Sequence, residues 1–325
     1  MRHTASCRRL AHSPTRGGIL RQSMKARLAV VVLAVTCGAF SAVFAQQTIR
    51  PYLWQAGMAR SEVGEINVFR RFPAERRAQV EDFYGGVLAL PVLPPTAPGG
   101  GQMIRYPVGA SEVKLFPTAM AAPNTAAVGD VAGMRLLTFF YADEAGLTKR
   151  FVDRGLTAPR FQPSTAHRGS TRAALVQDPA GHWVELVITP GAPADALARF
   201  EIGLAVADLD RSRAFYRDLM GLDVLEPMMN PLLGTTTHGF RHGSVTVRLW
   251  AAKTGAVTDS QTGGMQYIVW NVSNVNDVAV ARGAKIDRPL SAPGQMRTVW
   301  LFDPDGISNY FAQFGGNDNS PPRGR

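Results

Sequence analysis

Cysteine is nearly missing from this 325-residue chain: there are two, Cys7 and Cys37, both within the first 45 residues. The rest of the chain therefore has no disulfide, no thiol nucleophile and no thiolate metal site, which suits an oxidising compartment. Acidic residues are absent from those first 45 positions too, although Arg2, Arg8, Arg9, Arg16, Arg21, Lys25 and Arg27 all fall there. Subtracting these seven charges from the formal +10 leaves +3, so the bulk of the chain is only mildly basic and carries no nucleic-acid signal. The apolar run from Leu28 to Phe40 falls well short of the roughly 20 residues that cross a bilayer. No glycine-rich phosphate loop, Ser-His-Asp arrangement or heptad pattern stands out.

What the first 45 residues do contain reads as an export signal. Lys25 and Arg27 form a charged region just after an internal Met24, the apolar run follows, and Ser41-Ala42-Val43-Phe44-Ala45 ends in small residues. Cleavage between Ala45 and Gln46 is expected, which leaves no stable membrane anchor and places the mature protein in the periplasm or outside the cell. An uncleaved N-terminal anchor is the alternative. Thr36 before Cys37 makes a poor lipidation site, and Arg8-Arg9 lies too far from the apolar run for a good twin-arginine signal.

Beyond the leader the chain is globular in balance, with 46% hydrophobic and 18% charged residues, and long enough for two domains. It is also internally repeated. Glu65-Ile66-Asn67-Val68 returns as Glu201-Ile202-Gly203-Leu204, and Phe83-Tyr84 through Leu90 as Phe215-Tyr216 through Leu222. Arg154-Gly155 returns as Arg282-Gly283, and Asp178-Pro179-Ala180-Gly181 as Asp303-Pro304-Asp305-Gly306. Four matches in one order, at slowly drifting offsets, mark a tandem duplication. Within each copy the pattern is strand, helix, then strands. Ile202, Leu204 and Val206 alternate with Glu201, Gly203 and Ala205; Asp208 or Asp210 can cap the helix that follows; and Gly221 ends it. A hairpin turn is expected at His242-Gly243, a strand over Gln266–Val272 and a helix from a cap at Asn274 to Gly283. Thr189–Pro193 reads as the linker between copies, giving domains over 60–190 and 198–315 and a disordered tail over 316–325.

The stretch from Glu201 to Tyr216 resembles the opening of a vicinal oxygen chelate domain, the glyoxalase/bleomycin resistance/extradiol dioxygenase type, without its usual first His. Asp178-Pro179-Ala180-Gly181-His182-Trp183-Val184-Glu185-Leu186 resembles the closing hairpin of that family. The resemblance implies an α+β fold of tandem βαβββ modules, whose sheets curl around a concave cavity with helices outside. It also implies a divalent ion held by His and Glu from the first and last strands, acting as a Lewis acid on two neighbouring substrate oxygens.

The family's ligand positions are poorly filled here. The first-strand His is replaced by Glu65 and Glu201, the fifth-strand position falls near Leu136 and Tyr267, and the last-strand Glu is kept as Glu185 but replaced by Tyr310. The remaining position lies near Lys114 and Arg248, neither a good ligand. Two carboxylates without imidazole suit only a hard cation such as magnesium or calcium. The expectation is thus a protein without a resident cofactor, with a divalent metal at Glu65 and Glu185 as the alternative. Glu65 and Glu201 can equally be solvated or paired acids at the strand starts. His167, His182, His238 and His242 show no metal-pair spacing and read as ordinary loop, turn or strand histidines.

Glu65, Asn67, Trp183, Glu185, Glu201, Tyr267, Asn271 and Tyr310 are the candidate pocket residues, since aromatic walls with a few polar groups make a small-molecule site. Three functional readings follow. One is a metal-free binding protein for a small molecule. A second is a metal-dependent lyase, isomerase or ring-cleaving dioxygenase. In the third, the second copy serves only to cover the first.

Overall fold

The computed structural model describes residues 52–57, 66–96, 103–119, 126–167, 171–257 and 263–314. The expected leader over 1–45, Glu65 and the expected tail over 316–325 lie outside the described residues. Among those described, no helix is long and apolar enough to cross a membrane.

After a short helix, α1 (Leu53–Gly57), four similar modules follow one another. The first contains β1 (Ile66–Pro73), α2 (Arg77–Glu81, running on as π-helical turns to Val87), β2 (Leu93–Thr96), β3 (Met103–Val108) and β4 (Ser111–Thr118). In the second are β5 (Val131–Tyr141), α3 (Glu144–Asp153), β6 (Gln162–Ser164), β7 (Thr171–Gln177) and β8 (Trp183–Ile188). A helical turn, α4 (Ala194–Leu197), leads to the third: β9 (Phe200–Val206), α5 (Leu209–Ala214), β10 (Asp223–Val224), β11 (Met228–Asn230), β12 (Thr235–His242) and β13 (Val245–Ala251). The fourth has β14 (Thr254–Val257), β15 (Gly263–Ile268), α6 (Val272–Ala281), β16 (Ile286–Arg288), β17 (Met296–Phe302) and β18 (Ser308–Phe314).

Three module helices start on a side-chain cap. Asp143, Asp208 and Asn271 each accept a hydrogen bond from the backbone N–H three residues on. The cap of α6 is thus Asn271, three residues before the expected Asn274, because β15 already ends at Ile268. His242 pairs with Val245 across the β12–β13 hairpin, so the tight turn is Gly243-Ser244, with Gly243 at φ 56°. The recurring Asp-Pro-x-Gly turns also have a cause in packing. Asp178 accepts from the N–H groups of Ala180 and His182, Asp303 from those of Asp305 and Ile307. Their second oxygens take the hydroxyls of Tyr84 and Tyr216, at 3.0 and 2.8 Å. The Phe-Tyr and Asp-Pro repeats are therefore two halves of one buried tie between helix and closing hairpin.

The strands form two sheets, and each sheet draws on both copies. One runs β16-β17-β18-β15-β1-β4-β3-β2 and the other β10-β12-β13-β9-β5-β8-β7-β6. The joints are the antiparallel pairs β1–β15 and β5–β9. Thr189–Pro193, read as the linker between copies, accordingly connects strands that both flank β5 in a single sheet. Alternation decides what each face carries. Ile66, Val68 and Phe72, like Phe200, Ile202, Leu204 and Val206, join the main apolar core with the helices. The opposite faces, free of the module helices, carry smaller apolar clusters, one of them joined by Leu197 of α4, and the polar side chains described next.

Candidate functional site

Strand register brings four side chains together at each joint, on the face free of the module helices. In the β1–β15 sheet, Asn67 lies opposite Gln266, which lies opposite Tyr310, and Lys114 reaches in from β4. In the β5–β9 sheet, Glu201 lies opposite Thr138, which lies opposite Glu185, and Arg248 reaches in from β13. These rows define the true equivalences: Asn67 with Glu201, Lys114 with Arg248, Gln266 with Thr138 and Tyr310 with Glu185. The sequence match of Glu65 with Glu201 is therefore slipped by two residues. A slip of two preserves strand face, which is why alternation could not reveal it. Glu65 immediately precedes β1, whereas Glu185 is on β8 in the other sheet. The carboxylate that does share a row with Glu185 is Glu201.

The β5–β9 site is buried and only partly satisfied from within: both ring nitrogens of His167 and Nη1 of Arg248 are buried with no hydrogen-bond partner. Glu185 and Glu201 are 1% and 3% exposed and His167 is 3% exposed. Glu185 accepts from the Thr138 hydroxyl at 2.8 Å and the Asn230 amide at 3.2 Å. Arg248 grips both Glu201 oxygens through Nε and Nη2, the latter at 2.9 Å. Burial pushes the Glu201 carboxyl up, but Arg248, then His167 and Arg199, outweigh it and hold it below the usual range. His167, read from sequence as an ordinary loop histidine, stands between the two acids, with Nε2 3.5 Å from Glu185 and Nδ1 3.7 Å from Glu201. It comes from the loop after β6, and no spacing rule links such a loop to two strands. Trp183, on the same face, donates from its indole N–H to the Ala126 carbonyl at 2.9 Å. Gly203 leaves room for the indole of Trp250; a Cβ there would lie 2.8 Å from that ring.

The β1–β15 site has a polar base and an aromatic wall. The Gln266 carbonyl accepts from Asn67 at 3.0 Å and from the Lys114 ammonium. Asn67 in turn accepts the Glu112 backbone N–H, and the Glu112 carboxylate pairs with Arg105 at 2.6 Å and Lys114 at 3.4 Å. Tyr310 stacks on Trp300 at 4.0 Å and 9°, and Phe69 packs beside both. Burial pushes the Tyr310 phenol well up, so it stays neutral.

Two predicted pocket residues lie apart from these rows. Tyr267 points to the helix-bearing face, fully buried, stacked on Phe311 and donating to Asn309. Its neighbour Gln266 occupies the row instead. Asn271 is the cap of α6.

Whether a divalent metal suits these positions can be judged from the donors. Each quartet contains a tethered cation, Lys114 or Arg248, and neither an ammonium nor a guanidinium has a lone pair to give a metal. Among the described residues no group of three or more His, Cys, Asp or Glu side chains is placed to hold an ion. The metal implied by the family does not fit the residues present. A hollow of about 680 Å³ opens elsewhere, lined by Phe83, Phe151, Arg154, Leu156 and Asp178 among others. Its buried acid, Asp178, is already held by Tyr84 and His182, so convergent polar groups favour the two quartets as the functional positions.

The family model described as Glyoxalase/Bleomycin resistance protein/Dioxygenase superfamily matches residues 198–311. Among solved structures, glyoxalase I from Zea mays aligns at 18% identity and a TM-score of 0.57, over 76% of this chain and 91% of its own. A putative dioxygenase from Bacillus subtilis subsp. subtilis str. 168 aligns at 15% identity and 0.54, over 81% of this chain and 87% of its own. At these identities the likeness is one of fold. No curated protein matches the sequence.

Proposed function

We propose that the chain, whose residues 198–311 match the Glyoxalase/Bleomycin resistance protein/Dioxygenase superfamily model and whose fold resembles that of Zea mays glyoxalase I, belongs to that superfamily and binds a small molecule without a metal ion. The reading includes export, with cleavage near Ala45 releasing the mature protein to the periplasm or the medium. One observation carries it: Lys114 and Arg248 put a covalently attached positive charge where the family keeps an ion. A fixed cation can hold an anionic or carbonyl oxygen, but it opens no coordination positions for bidentate Lewis-acid chemistry. Both sheets would thus keep the electrostatic part of the ancestral site and drop its metal chemistry.

The test is elemental analysis of the processed protein together with a thermal-shift screen of aromatic, dicarbonyl and carboxylate compounds. Metal well below one equivalent is expected, with at least one compound raising the midpoint. A ligand at a hundred times its dissociation constant stabilises by about 2.7 kcal/mol. A full equivalent of divalent metal, lost in a Glu185→Ala variant, would instead support the metal-dependent enzyme.

A further inference from the structure

On the reading just given that the chain binds a small molecule, the β5–β9 face is the one that the fold leaves chemically unfinished. His167 is 3% exposed, and among the described residues neither of its ring nitrogens has a hydrogen-bond partner. Arg248 is 8% exposed; its Nε and Nη2 go to Glu201, and its Nη1 is buried without a partner. These orphans adjoin, since the Glu201 oxygen that accepts from Arg248 Nε is the one 3.7 Å from His167 Nδ1. Phe140 stands edge-on to the imidazole at 5.3 Å and 90°, holding it between Glu185 and Glu201. Polar atoms buried without a partner cost a fold stability, so three at one spot call for a group that the chain does not supply.

The surroundings say what that group is attached to. Register lays a second row beside the polar one, two residues along each strand on the same face: Trp183 opposite Leu136, and Leu136 opposite Gly203. The missing side chain at Gly203 gives its place to the Trp250 indole. Leu136 and Trp250 are buried, whereas Trp183, Leu175 and Leu233 of the same cluster are only partly so. A polar row with atoms unpaired thus runs beside an apolar row that stays partly open, which suits an amphipathic compound better than water alone. The polarity of the orphans narrows the ligand further. Arg248 Nη1 can only donate, so it wants an acceptor oxygen. Around the imidazole, Glu185 and Glu201 lie 3.5 and 3.7 Å from its nitrogens; with the ring they want a donor, and they repel a further carboxylate. The nearby cations are held at the margins. Arg135 shares the Ala126 carbonyl with Trp183, and Arg199 lies over the Phe140 ring at 4.1 Å.

We infer that the β5–β9 face is the ligand site and that it takes a flat apolar compound with a neutral carboxamide head, the head among Arg248, His167 and the two glutamates and the apolar body along Leu136, Trp183 and Leu233. The amide oxygen accepts from Arg248 Nη1, and the amide N–H donates to the imidazole or to the carboxylate beside it. Asn230 donates to Glu185 at 3.2 Å and Leu233 packs on the apolar row, so the turn over residues 231–234 roofs the bound compound.

The test is calorimetric titration of the mature protein with three compounds of one shape: 2-naphthamide, 2-naphthoate, and methyl 2-naphthyl ketone, which has the carbonyl without the N–H. The amide is expected to bind at least tenfold tighter than either of the others. Arg248→Lys, which keeps a charge beside Glu201 but removes Nη1, should weaken the amide at least tenfold. His167→Leu should erase the amide's advantage over the ketone, a change that a purely structural role would not produce. Arg213→Gln, a charge loss on α5, should leave all three affinities unchanged. Circular dichroism checks that the variants are folded. If either site variant is not, Trp183→Leu, at the open end of the apolar row, replaces it and should weaken all three compounds at least threefold. Equal binding of amide and ketone, naphthoate binding as tight as the amide's, or affinities indifferent to these variants would overturn the inference. Absence of amide binding, alongside stabilisation by another compound of the thermal-shift screen, would overturn it too and leave the proposed function standing. If nothing in the screen stabilises the protein, the proposed function falls with it.

Discussion

Asp178 and Asp303 occupy the same place in the two copies, yet one neighbour sets their titration apart. His182 lies beside Asp178, and its charge and hydrogen bonds outweigh burial, so the Asp178 carboxyl is held below its usual range. Asp303 has Ile307 at the corresponding place; burial dominates, the nearby Asp305 adds to it, and the carboxyl is pushed up to about 7. The two acids therefore pull stability in opposite directions with pH. A carboxyl raised in the fold gives its stability below about pH 4 and loses it as pH rises toward 7, at a cost of about 4 kcal/mol for a shift of this size. A depressed one gives its stability above the ordinary carboxylate range and loses it as pH falls. Asp303→Asn should thus be clearly destabilising at pH 4 and close to neutral, or stabilising, at pH 7.5, whereas Asp178→Asn should be worst at pH 7.5. Urea unfolding of both variants at the two pH values checks this. Parallel pH dependence in the pair would show that the His182/Ile307 difference does not control them.

At the scale of the element, each sheet joint pairs a small residue with a large one, in reversed order. Phe69 on β1 lies opposite Gly264 on β15, and Gly203 on β9 lies opposite Leu136 on β5. A Cβ at position 264 would come within 2.5 Å of the Phe69 ring and of the Ser308 carbonyl. Gly264→Ala should therefore cost about 1–3 kcal/mol, the usual range for overpacking. Phe69→Leu in the same chain should recover part of that loss, since it removes the ring but not the carbonyl. Denaturant midpoints of the two single variants and the double check it, and simple additivity would count against the contact. Such details mark where sequence reading stopped. The repeat, the strand–helix–strand order, the Asp208 cap and the placing of Asn67 and Glu201 opposite the apolar strand face were legible, because turn chemistry and period-two alternation are local. The slip between Glu65 and Asn67, the choice of Gln266 over Tyr267 and the partnering of His167 were not. Each depends on which strand lies alongside, and alternation within one strand carries no register information.

The whole molecule carries the same point further, because its two copies in sequence are not its two sheets. Each sheet joins the first half of one copy to the second half of the other, and each quartet is completed across that joint. A duplicated gene whose ancestor dimerised by pairing β9-like with β15-like strands would give this arrangement once its copies were fused, the fusion turning an intermolecular joint into an intramolecular one. Residues 198–315 on their own would leave β9 and β15 as bare edges, with buried side chains on both faces and unpaired N–H and C=O groups along their length. Such edges are unstable in water, and the nearest partner of suitable register is the same fragment. The fragment should therefore behave as a dimer by light scattering, with β9 of one chain against β15 of the other. Mixed with residues 60–190 it should rearrange to a one-to-one complex, since only that pairing restores Thr138 beside Glu201 and Asn67 beside Gln266. A folded, monodisperse monomer of 198–315 would mean that each copy closes on itself, and both quartets would then have to be redrawn.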